Sequence, residues 1–589
     1  MITRNLKNGL HIGACLIAFQ GLLMVPSASS APMAGDFYKI AQADQGIYGE
    51  VLEAGDRRTS SAIAFRSALT SSNPDLRKIA VLTLGRIGDD VAISRLRPMI
   101  NDPDANVRLA VAFALGIVDG DYAGDSLMAL IANEKNADIL SRAYASLGLQ
   151  VNSFMSADGR EDHYDHLIKA FNETDDHIIL LGIIKGLLHT QIFNPDGVRT
   201  LETLNPRKLV SLVGADEQSS QHHDDLADNV LYLMARMKSL PKVVPLALYE
   251  TLFDVRRAMP HEGLLFRGLA QYGADGKQVF ERYGLSRGDV NQVALLNRIM
   301  AVGDNRYAVY LRQGLDHPNS HVRTAAINGI AMMADDAPQK MSLLTRALQD
   351  NSTIIPDSAR SNWVRLTALN VLSNINPDEA VERAIPYFEA GGYGRFKTLG
   401  VMAKTDKGQD YLASIDGARH PILKSYIDPE AIERLDHPTL KFNQVKEAFG
   451  KVLRFETSKG AFEMTLDYVA PYTASRFYEL AKAGKYDGMA FHRVVPNFVA
   501  QAGLDLDGPQ ALADWGQIRE ELSMRAHTIG TVGVATSGKD TGSRQLFINL
   551  QPNAHLNDRY TVFADITAGM DVVKALNEGD IIEKVSVLP

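Results

Sequence analysis

At 589 residues, 46% hydrophobic and 22% charged, the chain has room for several domains, or for a repeat array with a further domain attached. Its formal net charge of −9 excludes the broad basic surface that nucleic acid or anionic lipid would require. The single cysteine, Cys15, excludes a disulfide framework.

The N-terminus has the three-part layout of an export signal. Arg4 and Lys7 form a short basic region, Leu10 to Val25 is mostly apolar, and Ser27-Ala28-Ser29-Ser30-Ala31 offers small residues for cleavage after Ala31 or Ala28. Residues 1–31 are therefore expected to be a signal peptide. The apolar run is shorter than the roughly 20 residues a spanning helix wants, and His11 and Gln20 interrupt it. Ile12-Gly13-Ala14-Cys15 is a poor lipoprotein box because it precedes most of the apolar run. Cleavage would remove Cys15 and take the charge from −9 to −11. A periplasmic or otherwise exported chain, with no stable membrane insertion, is expected.

Apolar helical blocks recur from about residue 57 to 440. Leu76, Val107 and Ile139 open similar segments at spacings of 31 and 32 residues, and the pattern returns at Val322 and more loosely at Val364. A period near 31 fits two short helices and two turns. One such unit cannot bury its apolar face alone, so units stack, and Ala80, Ala112, Ala145 and Ala326 let neighbouring helices approach. Asp102-Pro103-Asp104 supplies a turn and a helix start. These segments resemble HEAT repeats, which implies an all-α solenoid, placed at 37–440, that offers a surface to a protein partner. The plainer reading is a spacer that holds the C-terminal region at a distance. Between about 150 and 310 the pattern decays, although His177–Leu188 and Asn229–Met237 read as helices. Two histidine clusters, Asp162-His163-Tyr164-Asp165-His166 and His222-His223-Asp224-Asp225, lack a third ligand and are expected to be solvated polar faces, not metal sites.

After a linker at 441–450 the period changes to two. Val452–Thr457 and Ala461–Leu466 form a hairpin about Ser458-Lys459-Gly460. Pro471-Tyr472-Thr473 opens a helix, with Thr473 as its expected N-cap and Gly484 as its end. Short strands follow, with a last helix near Met570–Leu576. Many strands with two helices in residues 451–589 suggest a closed β-barrel with capping helices. Within it, the run Phe491 to Gly503 predicts a strand, a bend at Pro496-Asn497 and a second strand. Arg493, Phe498 and Gln501 then face one concave surface suited to a neutral peptide.

This order of motifs resembles the cyclophilin family of peptidyl-prolyl isomerases. Tyr486-Asp487-Gly488, Phe491-His492-Arg493, Phe498, Gln501, Gln545-Leu546-Phe547-Ile548 and Leu556 to Phe563 all match in order. The resemblance implies catalytic roles for Arg493, Phe498 and Gln501. It implies substrate contacts for Val499, Ala535, Thr536, Gln545, Phe547, His555, Leu556 and Tyr560. The chemistry it implies needs no metal and no cofactor, and its partners are proline-containing polypeptides. Val499, Arg544, Leu546, His555 and Tyr560 depart from the best-known eukaryotic pattern. They hint at a bacterial origin and put cyclosporin sensitivity, more than isomerisation, in question. Arg544 is expected to narrow the groove or to alter the preference for the residue before proline. Gly533 to Asp540 mimics a nucleotide P-loop, but Asp540 stands where a magnesium-binding hydroxyl belongs. The expected activity is Xaa-Pro rotation in exported proteins. The alternative is a proline-peptide binding module of low turnover on a helical scaffold.

Overall fold

The computed structural model describes residues 44–588, apart from 119–121, 153–156, 193–199, 214–220, 256–261, 284–307, 335, 351–362, 416–439, 497 and 505–516. The expected signal peptide lies outside the described residues, as does Asn497 of the expected bend. Among the described residues, no helix is long and apolar enough to cross a membrane.

The N-terminal part is helical. Helices α1 (Gln45–Asp56), α2 (Ile63–Leu69), α3 (Pro74–Ile87), α4 (Asp90–Leu96), α5 (Ala105–Ile117), α6 (Ala123–Asn133), α7 (Ala137–Asn152), α8 (Ala157–Glu173) and α9 (His177–Ile192) follow in order. The odd-numbered helices α3, α5, α7 and α9 stack side by side. Their crossings are too close for a side chain. A Cβ on Gly148 of α7 would lie 2.1 Å from the Gly186 carbonyl oxygen of α9, and one on Gly85 would lie 2.7 Å from Ala114 Cβ. The alanines noted in the sequence help, but these glycines set the spacing.

Three of the repeats are tied to the next by an arginine. Arg77 Nε and Nη2 bond Asp102 at 2.8 and 2.9 Å while Nη1 bonds the Ser71 carbonyl. Arg108 repeats this with Glu134 and the Asp102 carbonyl, and Arg323 with Asp350 and the His317 carbonyl. The Asn73 and Asp104 side chains cap α3 and α5. Helices continue through the region where the sequence pattern decays, including Gln221–Arg236, and on to Asp406–Ser414.

One expectation for this part is corrected. His163 is 4% exposed, not solvated, and His166 is half-buried and stacked on Tyr144. Both lie on α8 where it packs against its neighbours, so their apolar ring faces are used in the core. The side chains of His222, His223 and Asp224 lie outside the described residues. Among the described residues no group of three metal-ligating side chains converges.

The C-terminal part is an eight-stranded antiparallel sheet in the order β3-β4-β6-β5-β7-β2-β1-β8. β1 (Val452–Thr457) and β2 (Gly460–Leu466) form the expected hairpin. β3 is Phe491–Val495, β4 Val499–Ala502, β5 Thr531–Val534, β6 Leu546–Asn549, β7 Val562–Ala568 and β8 Ile582–Val587. Backbone bonds between 488–491 and 579–582 close the seam between the edge strands, for example Phe491 N–H to the Asp580 carbonyl at 2.8 Å. Closure leaves few unpaired edges. Phe455, Phe462, Phe477 and Phe563 fill the barrel with stacked rings. The helix Pro471–Lys482 caps it, but Thr473 is not the N-cap. Ala470 holds that position, and the Thr473 N–H bonds the buried Glu521 carboxylate at 2.7 Å.

The solenoid does not hold the barrel at a distance. Residues 441–450, expected as a linker, contain the short helix Phe442–Val445, whose Phe442 packs edge-on against Tyr48 of α1 at 5.1 Å. Arg58 bonds Asp540 and the Glu520 carbonyl. Arg86 bonds the Leu522 and Val469 carbonyls, both at 2.9 Å. Farther along, Arg142 of α7 bonds Asp558 at 2.9 Å, and Tyr232 bonds the Pro552 carbonyl. Lys397 pairs with Glu578 at 3.0 Å. Tyr472, Ala490 and Leu522 of the barrel belong to the same continuous core as the solenoid helices. Asp540 and Lys539 of the P-loop mimic are docking residues, with Lys539 Nζ donating to the Ile87 carbonyl.

Candidate active site

The site is built on the hairpin β3–β4. The Phe498 N–H bonds the Val495 carbonyl across a tight turn, and the register pairs Arg493 with Gln501. A shift of register between Phe491 and Arg493 breaks strict alternation. Phe491 and His492 are both buried, and Arg493 points outward. β4 pairs with β6, placing Phe547 opposite Gln501, and β6 pairs with β5, placing Gly533 opposite Phe547. A Cβ at Gly533 would sit 2.4 Å from Phe547 Cζ, so only glycine lets that ring lie across β5.

The result is a cavity of about 150 Å³ lined by Arg493, Phe498, Val499, Gln501, Phe547 and Leu556, with Ala535, Thr536 and Tyr560 on its margin. Val499, Phe547 and Leu556 form a buried apolar cluster of their own, separate from the barrel core. Arg493 lies 5.3 Å over the Phe498 ring, and its Nη1 donates to Gln501 Oε1 at 3.4 Å. Gln501 Nε2 in turn donates to Gln545 Oε1 at 3.1 Å. The Arg493 tip is exposed at the mouth. Desolvation by the surrounding protein lowers its pKa, while Glu578 and Tyr560 pull the other way. Glu578 is itself held from the solenoid by Tyr393 and Lys397, and it accepts from the Val494 N–H at 3.3 Å.

Nine of the eleven residues singled out from the sequence line this cavity. Gln545 is behind it, orienting Gln501. His555 is also behind it, stacked on Phe498 at 5.4 Å and tilted against Tyr232 of the solenoid at 5.6 Å. Arg544 does not narrow the groove. It is 4% exposed and absent from the lining, and its carbonyl accepts from the Tyr486 hydroxyl at 2.9 Å.

The sequence reading missed the polar network beneath the pocket. His527 lies under Phe547, stacked at 5.5 Å, between Asn549 Nδ2 (3.1 Å) and the Tyr560 carbonyl (3.2 Å). Asn553 bonds Asn549 and the Phe498 carbonyl, so one network fixes three walls of the cavity. Nothing in residue type or spacing marks these groups, because their partners come from four different segments.

Burial lowers His527 to about 4. It also lowers His492 to about 4, helped by Lys397 and Arg493. Both imidazoles are therefore neutral in the folded protein at pH 5, whereas an unfolded histidine protonates near 6.5. Their contribution to stability is complete above about pH 6.5 and is lost as the pH falls from there towards 4, at up to about 3 kcal/mol each. The urea midpoint should accordingly fall across that window. A midpoint unchanged down to pH 4.5 would mean that these imidazoles are solvated.

An arginine over an apolar slot of proline size, on a closed antiparallel barrel with a capping helix, defines a peptidyl-prolyl isomerase site of the cyclophilin class. Comparison with known proteins agrees. The family "Cyclophilin type peptidyl-prolyl cis-trans isomerase/CLD" matches residues 452–588, and "HEAT repeats" matches 64–148. Peptidyl-prolyl cis-trans isomerase B of Bacillus subtilis is 36% identical over 143 residues, 23% of this chain and 96% of that protein. A Helicobacter pylori peptidyl-prolyl cis-trans isomerase is 38% identical over 135 residues, 22% of this chain and 82% of that protein. The crystal structure of a Cryptosporidium parvum cyclophilin aligns at 20% identity and a TM-score of 0.21, covering 24% of this chain and 98% of that chain. The chain belongs to the cyclophilin-type peptidyl-prolyl cis-trans isomerase family, with HEAT repeats preceding the isomerase domain.

Proposed function

We propose that this enzyme rotates Xaa-Pro bonds in exported polypeptides and that its solenoid (37–440) acts as a brace for the isomerase domain (451–589). The observation that carries the reading is the Arg493 guanidinium poised over Phe498 at the mouth of the apolar cavity. Rotation about a peptide bond costs roughly 18–20 kcal/mol because amide resonance must be broken. At the top of that barrier the proline nitrogen is pyramidal and its lone pair is localised. Phe498, Val499, Phe547 and Leu556 hold the ring, while Arg493 donates towards the nitrogen that becomes basic only when the bond is twisted. An interaction gained only in the twisted state lowers the barrier, whereas equal binding of both planar forms would not. Gln501, oriented by Gln545, steadies the guanidinium, and Ala535 and Thr536 line the path of the peptide.

Export rests on the layout of residues 1–31. The brace rests on the run of bonds from Arg58 to Lys397. Client chains then reach the pocket past the solenoid, and other surfaces of the array stay available to a protein partner. Two-dimensional exchange NMR on a short Xaa-Pro peptide tests the activity. Uncatalysed exchange takes roughly 10–100 s, and catalytic amounts of the full chain should bring it into the sub-second range. No acceleration would leave a proline-peptide binding module in its place.

A further inference from the structure

Tyr232, on the solenoid helix Gln221–Arg236, is 2% exposed. It meets the barrel at the turn just before Leu556 of the proline pocket. Its hydroxyl donates to the Pro552 carbonyl and accepts from Gln551 Nε2 at 2.9 Å. Its ring lies 5.6 Å from the His555 imidazole, which stacks on Phe498 at 5.4 Å. The Arg493 guanidinium lies 5.3 Å from the same Phe498 ring. We infer that Tyr232 is a positioning residue for the isomerisation: through His555 it sets the Phe498 ring on which the Arg493 guanidinium rests. This deepens the isomerase reading and rests on it.

Backbone bonds fix where Phe498 sits but not which way its ring faces. Its N–H bonds the Val495 carbonyl, and its own carbonyl accepts from Asn553 Nδ2 at 2.9 Å and from the Leu550 N–H at 3.0 Å. The ring turns about χ1 and χ2, so packing decides its direction. His555 supplies that packing from within the barrel, and Tyr232 backs His555 from the solenoid. Burial, with Arg236 and Arg267 nearby, holds the His555 imidazole well below its ordinary value, so it is neutral. It therefore sets no second cation against the ring that Arg493 uses. Burial raises the Tyr232 phenol, so the hydroxyl keeps the proton it donates to Pro552 and the ring stays anchored. At the far end of the stack, the bond from Arg493 to Gln501 is long, at 3.4 Å. Much of the placement of the guanidinium thus falls to the Phe498 ring beneath it, and to what holds that ring.

The test is kcat and KM by exchange NMR on an Xaa-Pro peptide, with the full chain and its Tyr232 variants. Tyr232→Leu removes the ring and should lower kcat about tenfold, with KM within about twofold of the parent. Tyr232→Phe keeps the ring and loses the hydroxyl. It should lower the urea midpoint, because the Pro552 carbonyl loses its donor, yet keep kcat within about twofold of the parent. Combining Tyr232→Leu with Arg493→Ala separates positioning from general damage. If Tyr232 acts through the guanidinium, Tyr232→Leu should cost less than about twofold in kcat once Arg493 is gone. Loss of folded protein would instead lower kcat by the same factor in both backgrounds. A loss of about tenfold that persists beside Arg493→Ala therefore overturns the proposal. So does a kcat for Tyr232→Leu within about twofold of the parent, or an equal loss in Tyr232→Phe and Tyr232→Leu. Each of these results leaves the isomerase reading intact. Failure of the parent chain to accelerate any peptide overturns that reading and the role of Tyr232 with it.

Discussion

Arg493→Ala should lower kcat/KM for an Xaa-Pro peptide by about 10²–10³-fold, the usual effect of removing one preorganised donor aimed at developing charge. The same change should alter the urea midpoint very little. The Arg493 tip is exposed, and it makes one long hydrogen bond to Gln501 and a cation–π contact to Phe498, so its loss stays within about 0.5 kcal/mol of stability. That separation of effects is the content of the prediction. A structural arginine would show the reverse pattern, with stability lost and turnover kept. Arg493→Lys keeps the charge but loses the planar fork that lets one group contact both Gln501 and the substrate. It should recover only part of the rate. Exchange NMR at saturating and sub-saturating peptide would place the loss in kcat more than in KM. Turnover within twofold of the parent in Arg493→Ala would end the electrostatic account.

The barrel was legible in the sequence because its determinants are local. The hairpin β1–β2, the strands around Arg493 and the C-terminal end of the helix Pro471–Lys482 each follow from residues within a few positions of one another. The pocket was legible for a related reason, since Arg493, Phe498 and Gln501 lie on one hairpin. What escaped were the relations between distant segments. Periodicity shows which face of a helix is apolar but not what that face meets. The partner of Arg58 lies 482 residues away at Asp540, inside a stretch that reads locally as a failed nucleotide motif. Thr473 looked like a cap because threonine often is one, and Glu521 supplies the acceptor instead. His163 looked solvated because its neighbours Asp162 and Asp165 are exposed, yet the helix turns it inward. Arg544 occupies a position next to the groove in sequence, but its side chain turns into the protein.

The longest-range of these relations bears most on function, and Asp558→Asn should show it. Asp558 sits between Leu556 and Tyr560 of the active site and adopts a left-handed backbone with φ of +63°. Asparagine tolerates that conformation and keeps the shape, so the change isolates the charge. Burial alone would raise the Asp558 carboxyl, but Arg142 and His189 overcome it and hold the group well below the ordinary carboxylate range. Arg142 Nη1 is 2.9 Å from Oδ1, and His189 Nε2 lies 3.7 Å from Oδ2. Removing the anion leaves the largely buried Arg142 guanidinium uncompensated, which costs about 3–5 kcal/mol at buried pairs. The cost falls on the joint between α7, α9 and the segment 553–560, which holds one wall of the proline pocket. Asp558→Asn should therefore lower the unfolding free energy by that amount, and it should lower kcat/KM about tenfold by loosening Leu556 and Tyr560. Arg142→Met combined with Asp558→Asn should recover at least half of the stability, because the stranded charge is gone. If the single variant loses less than about 1 kcal/mol, the pair behaves as a solvated surface bridge, and the solenoid does not brace the catalytic wall.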